Sequence, residues 1–377
     1  MTSYLSPAEL NDSLTLRDLS NPASGPHAMQ LLLQHVVDSL TAHGGVPARV
    51  VRDSPLVAVA DNYDRLGFSA TDVTRNRRYT RYAGPTVMLR SHTSASIPPL
   101  LDALPNGDDH DELLVLPGLV YRRDAIDRTH VGTPHQVDLW RISSGAALAP
   151  EHLESMAERL VQAVLPGATW RATGASHPYT THGMQVDVRL DGDWLELAEC
   201  GLVPARLFSE AGLDPARWTG LALGMGLDRA LMLRKGIPDI RLLRAREPRI
   251  ASQMLDLAPW RPVSAMPSIR RDLSVVVPLD SDGETLGDQV RRSLGTRADY
   301  LESVELLALT PHRDLPDAAR TRLRLAVDQA NALVRIVLRP LDRTLTDGEA
   351  NAVRDDVYRA LHRGPVMELI GGRPPAG

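Results

Sequence analysis

The amino-acid sequence predicts an α+β protein built as two domains, and three observations carry that expectation. At 377 residues the chain exceeds what one ordinary hydrophobic core serves. Two helical apolar stripes are separated and followed by long stretches of strand and turn residues. Near Pro259 to Pro267 a linker leads into a unit of roughly a hundred residues with its own strand–helix–strands–helix order.

The first helix follows the Asn21-Pro22 start signal: Leu31, Leu32, His35, Val36 and Leu40 keep helical spacing until near Gly44-Gly45. The second opens after Pro150, with Leu153, Met156, Leu160 and Val164 in one stripe and Glu151 and Glu154 in its first turn. These elements divide the chain into an N-terminal extension (1–25), a main domain (26–258), a linker (259–266) and a C-terminal domain (267–377). In the last, Leu273, Val275 and Val277 alternate as a strand, and Leu286, Val290 and Leu294 keep helical spacing. Strands are expected at Val304–Ala308, Leu323–Val327 and Val334–Leu338, and a final helix opens on Thr346 and Glu349 spaced as a capping box. That order fits a split βαβ, ferredoxin-like βαββαβ domain, a fold that does not by itself fix a function.

Composition removes several functional classes. A net charge of −5 argues against a surface made for nonspecific nucleic-acid binding, though not against a local basic groove. Arginine supplies nearly all the positive charge, since Lys235 is the only lysine. The single cysteine, Cys200, excludes an internal disulfide and a cysteine-based zinc site, and it fits a reducing cytoplasm. The first residues, with Glu9, Asp12 and Asp18, resemble neither a secretory signal nor a transit peptide. No stretch approaches the roughly 20 apolar residues of a membrane span, so no membrane partner is expected.

Four segments carry candidate chemistry. In Val120-Tyr121-Arg122-Arg123-Asp124, strand alternation puts Arg122 and Asp124 on one face, and a polar loop with His130 follows. The chain returns as Pro134-His135-Gln136-Val137-Asp138-Leu139-Trp140, with Gln136, Asp138 and Trp140 sharing a face. Such an arginine can hold a phosphate through its planar fork of donors, or simply belong to an exposed salt-bridged hairpin. In the second segment, Asp191-Gly192 is a two-residue hairpin turn that pairs Asp187 with Glu196. Two facing carboxylates repel unless a cation such as Mg²⁺ lies between them or an arginine, Arg189 or another, satisfies one. Third, Leu221-Ala222-Leu223-Gly224-Met225-Gly226-Leu227-Asp228-Arg229 is a strand, a glycine-rich turn and a helix start. It suits either an anion near Arg229 or an ordinary strand–helix junction. Fourth, Arg90-Ser91-His92-Thr93-Ser94 is either a polar pocket wall or a turn with a capping serine.

In this order the four segments resemble the catalytic core of phenylalanyl-tRNA synthetases over roughly residues 26 to 250, and the C-terminal domain resembles that family's anticodon-binding domain. Val-Tyr-Arg-Arg-Asp-x-Ile-Asp-x-x-His at 120–130 and Gly-Met-Gly-Leu-Asp-Arg at 224–229 are the most specific stretches. The resemblance implies a class II synthetase antiparallel sheet flanked by helices, fused to the smaller domain as in single-chain organellar forms. It implies ATP and Mg²⁺ as cofactors, with an amino acid and tRNA as partners, and a monomer or homodimer. Arg122 would bind the α-phosphate and substrate carboxylate, Asp124 the adenine amine, and His130 and Arg229 the γ-phosphate. Glu196, together with Asp187, would hold Mg²⁺. His92, Ser94 and Gln136 would lie near the amino acid's polar end, and Pro134 would face the adenine.

The chain departs from the family pattern around the amino acid. Phe-Pro-Phe is replaced by His177-Pro178-Tyr179, which adds donors and acceptors to the wall that packs the substrate ring. Asp138 stands for a glutamate expected to grip the α-ammonium, Pro134 for an adenine-stacking phenylalanine, and Leu221 and Leu223 for phenylalanines around Ala222. The expectation is activation of phenylalanine or a ring-modified relative for tRNA. A paralogue that activates a different amino acid for another acceptor is the alternative.

Overall fold

Alternating apolar residues in the N-terminal two thirds assemble a seven-stranded sheet of order β1-β4-β5-β9-β8-β7-β6. Its strands are β1 (Ala48–Val50), β4 (Asp111–Leu119), β5 (His135–Ser143), β6 (Trp170–Gly174), β7 (Thr181–Leu190), β8 (Asp193–Leu202) and β9 (Thr219–Gly226). Only β1 runs parallel to its neighbour β4; every other pairing is antiparallel. A separate ribbon pairs β2 (Leu56–Ala58) with β3 (Val87–Leu89). The computed structural model describes residues 4–42, 45–76, 79–105, 109–123, 125–263 and 267–367. Asp124 and Gly44, which the sequence reading used, lie outside them.

The chain forms two compact units. The first comprises Met1–Arg122, Thr133–Leu243 and Pro248–Arg261, and the second comprises Arg123–Gly132, Arg244–Glu247 and Pro262–Gly377. In the first unit the helices Ala28–Thr41 and Pro150–Val164 pack against each other and against the helix Leu227–Lys235. Their contact faces are apolar: Met29, Leu32, Val36, Leu153, Leu160 and Val164 are fully buried, each contributing about 1.5–3 kcal/mol. Trp140, Ile142, Phe208, Trp218 and Ala222 belong to a separate apolar cluster. Among the described residues no helix is long and apolar enough to cross a membrane.

Two strands differ from the sequence reading. β4 stops at Leu119 instead of running to Asp124. Gly118 there takes φ 152, a Cβ on it would collide with the Arg90 guanidinium, and buried Arg90 donates from Nε to the Leu119 carbonyl at 2.9 Å. Arg122 keeps only an isolated bridge to Thr80. In the second unit, β10 (Ile269–Pro278), β11 (Leu301–Pro311) and β12 (Gln329–Leu338) form an antiparallel sheet of order β10-β12-β11 with helices Gly283–Leu294 and Asp347–Leu361. The strand expected at 323–327 is absent: Leu323 ends a short helix, Asp317–Leu323, whose Asp-Ala-Ala-Arg start favours helix, and Arg324 turns left-handed at φ 49. The described residues of this unit thus run β-α-β-α-β-α, with the short helix Asp317–Leu323 between β11 and β12 and no fourth strand. The Thr346–Glu349 capping box is present.

Lys235 ties the helix that leaves β9 to the end of the first unit. The residue is 3% exposed, and its ammonium donates to the Asp256 carbonyl, the Asp256 carboxylate and the Ala258 carbonyl at 2.8, 3.0 and 2.6 Å. Lys235→Met keeps the apolar stem but strands these acceptors. It should destabilise the first unit by about 1–3 kcal/mol, read as a lower urea midpoint; an unchanged midpoint would show the ammonium to be dispensable.

Candidate active site

The floor of the site is a strip of β9 with almost no side chains. Ala222, Gly224 and Gly226 alternate and therefore share a face. Register sets Ala222 between Trp140 and Gly201, Gly224 between Asp138 and Glu199, and Gly226 beside Gln136. A Cβ on Gly224 would meet Gln136 Nε2 at 3.5 Å and Asp138 Oδ1 at 3.8 Å. The result is a trough whose walls, on β5 and β8, stand two strand spacings or about 10 Å apart.

Cationic groups gather at one end of this trough. Arg122 donates from Nε to the Ser91 carbonyl at 2.7 Å and from Nη2 to Gln136 Oε1 at 3.3 Å. Ser91 is itself fixed by buried Asn62, which accepts from its backbone N–H and donates to its hydroxyl. Gln136 lies beside Gly226, which caps the helix Leu227–Lys235, and Arg229 sits in that helix's first turn. Asp228 holds the junction closed by accepting from the His135 backbone N–H and ring. Among the described residues the half-buried Arg229 forms no hydrogen bond or ion pair, so its donors are available to an anion. His130 belongs to the second unit, where its ring bonds Asp127 at 2.7 Å. Pro134 accepts from the Val120 N–H through its carbonyl, and its ring is half-buried.

The acids come from the β7–β8 hairpin. Leu190 pairs with Asp193 and Asp187 with Glu196, the register set by the Asp191-Gly192 turn. A bulge next to this pair then moves the register by one, so Val186 faces Ala198 and Gln185 faces Glu199. Glu196 and Glu199, three residues apart, consequently lie on one face, which strict alternation forbids. Asp187 is buried and already receives Arg171 Nε at 3.1 Å and Gln185 Nε2 at 2.7 Å, so Arg171, not Arg189, satisfies it. Glu196 differs: partial desolvation by its neighbours and the charges of Glu199 and Asp187 push its pKa up, against the pull of Arg229. A surplus of hard, negatively charged oxygen fits a cation arriving with a nucleotide. Among the described residues no three His, Cys, Asp or Glu side chains could hold a metal by themselves.

An aromatic box closes the other end. The Tyr179 ring lies 5.8–6.3 Å from the rings of Phe68, His92, Trp140 and His177. His92 stacks on Phe68 at 5.6 Å, among the described residues neither of its nitrogens has a hydrogen-bond partner, and burial drives its pKa to about 3, so it is neutral. Burial and the nearby Asp138 carboxylate raise the Tyr179 phenol above its ordinary value. Asp138 is withdrawn into the wall, accepting from the Thr93 and Ser94 hydroxyls at 2.5 and 2.7 Å and from the Trp140 indole at 3.2 Å. Burial raises its pKa, and these donors oppose that rise.

Sequence reasoning missed Glu199. Its Oε2 bonds His177 Nε2 at 2.9 Å, which raises the imidazole pKa and lowers the carboxyl. The imidazolium's share of this pairing is complete below its ordinary 6.5 and fades as pH rises through its raised folded value. The carboxylate's share is complete above 4.5 and fades as pH falls through its lowered value. In an NMR titration the His177 imidazole should titrate above 6.5 and drop in Glu199→Gln; an unmoved titration would dissolve the pair.

Comparisons with known proteins agree with this arrangement. A model of the tRNA synthetases class II core domain (F) matches residues 19–254, more than half of the chain. The phenylalanine--tRNA ligase alpha subunit of Prochlorococcus marinus (strain MIT 9313) is 32% identical over 241 residues, covering 63% of this chain and 69% of the relative. The mitochondrial phenylalanine--tRNA ligase of Saccharomyces cerevisiae is 26% identical over 397 aligned positions, covering 84% and 81%. The chloroplastic/mitochondrial phenylalanine--tRNA ligase of Arabidopsis thaliana is 29% identical over 336, covering 82% and 71%. With this family model over more than half of its length and these relatives beside it, the chain belongs to the class II tRNA synthetases of the phenylalanine--tRNA ligase family.

Proposed function

We propose that the chain joins phenylalanine, or a related ring-modified amino acid, to ATP as an aminoacyl-adenylate and passes it to tRNA. What supports this is that Arg122 bonds Gln136, that the strand partner of Gln136, Gly226, opens the helix carrying Arg229, and that Glu196 lies in the field of Arg229.

The amino acid's carboxylate oxygen attacks the α-phosphorus, and the bond to the bridging oxygen breaks as pyrophosphate leaves. No proton has to move, so the protein's task is alignment and charge neutralisation. Arg122, anchored on Ser91 and Gln136, would face the α-phosphate and the attacking carboxylate, and Arg229 would receive the terminal phosphates. Asp124 would meet the adenine amine, Pro134 its ring face, and His130 the γ-phosphate. Mg²⁺, when bound with the nucleotide, neutralises charge on the leaving pyrophosphate; Glu196 would hold it, while Asp187 would first have to release Arg171. Gln136, Ser94 and His92 would border the amino acid's polar end, and Ala222 would lie beneath its side chain. In the second step a tRNA ribose hydroxyl attacks the carbonyl carbon, AMP departs, and the hydroxyl proton passes to a phosphate oxygen.

The C-terminal unit would contact the anticodon. Cys200 takes no part as a nucleophile, because burial pushes its thiol up to about 12. Such a thiol suits a reducing cytoplasm, where the enzyme would act as a monomer or homodimer.

Arg122→Ala should lower amino-acid-dependent ATP–pyrophosphate exchange by at least about 10²-fold with unchanged circular dichroism. Retained exchange would remove Arg122 from this role.

A further inference from the structure

One carboxylate in the trough is given no role in the adenylation scheme above. Glu199 stands on β8 directly across Gly224 from Asp138, so both carboxylates face the same space from opposite walls. The two differ in what remains open. Asp138 is buried and saturated by three neutral donors. Glu199 has a side chain 41% exposed; His177 occupies Oε2, and among the described residues nothing donates to Oε1. His177 adjoins Tyr179, so this free oxygen borders the aromatic box, while the carboxylate also lies in the fields of Arg122 and Glu196.

We propose that Glu199 is a specificity-determining residue whose free oxygen accepts a hydrogen bond from the substrate's side chain, so that the preferred amino acid is a ring bearing a hydroxyl, an amine or a ring N–H. A bare phenyl group laid over Glu199 strips water from Oε1 and returns no donor, an unmatched desolvation. A donor-bearing ring keeps the aromatic contacts with Tyr179 and replaces the lost water. The inference rests on the adenylation reading and narrows it to a substrate class.

The test compares phenylalanine, tyrosine, 3-hydroxyphenylalanine, 4-aminophenylalanine and histidine in ATP–pyrophosphate exchange, with calorimetric binding of each amino acid in parallel. For the unaltered chain, the best donor-bearing ring should exceed phenylalanine in kcat/KM by about tenfold or more. Glu199→Ala should reduce that ratio to below about threefold, and the isosteric Glu199→Gln should fall between. Whether the hydroxyl or the amine series leads identifies the donor. A chain that prefers phenylalanine, or a ratio unmoved in Glu199→Ala, overturns the proposal. If no amino acid supports exchange, the adenylation reading fails and the calorimetric ratio decides: a donor preference lost in Glu199→Ala upholds the role of Glu199, and no preference ends it.

Discussion

The site depends on the register of one hairpin. Asp191 and Gly192 both take positive φ, 50 and 97, the turn geometry that matches the twist of the strands it joins. This turn fixes Asp187 against Glu196, and the adjacent bulge brings Glu199 to the same face. A slip of one residue would turn both glutamates to the opposite face of the sheet. β8 then fixes β9, since Glu199 pairs with Gly224. β9 in turn delivers Gly226 to the helix that carries Arg229. Acids and cations are thus set by backbone pairing more than by their mutual attraction.

The amino-acid end follows a different logic. Thr93, Ser94 and the Trp140 indole hold the Asp138 carboxylate in the wall. The half-exposed His177–Glu199 pair keeps its charges where water reaches them, which limits both its cost and its strength. Neutral His92, stacked in the box with two nitrogens unpartnered among the described residues, is a buried polar group with capacity to spare. The pocket is therefore aromatic in body and polar at its edges.

Much of this was legible in the sequence because local chemistry agreed with tertiary structure. The Asp-Gly turn gave the Asp187–Glu196 pairing, and strand alternation gave the shared face of Gln136, Asp138 and Trp140. What escaped was decided by contacts distant in sequence. Glu199 was invisible because a bulge breaks the two-residue period. Arg171, sixteen residues from Asp187, satisfies that acid in place of the nearer Arg189. β4 ends at Leu119, whose carbonyl accepts from the Nε of Arg90, a residue 29 positions away. Leu323 and Leu325 alternate as a strand would, yet they bury against Val276 and Leu315 from a helix and a left-handed turn.

A crystal structure of the protein soaked with a non-hydrolysable ATP analogue tests the central claim most directly. The account predicts a nucleotide whose phosphates lie over the Gln136–Gly226 end of the trough, with the guanidinium groups of Arg122 and Arg229 both within hydrogen-bond reach of phosphate oxygens. A nucleotide bound elsewhere, or one touching neither arginine, would contradict it.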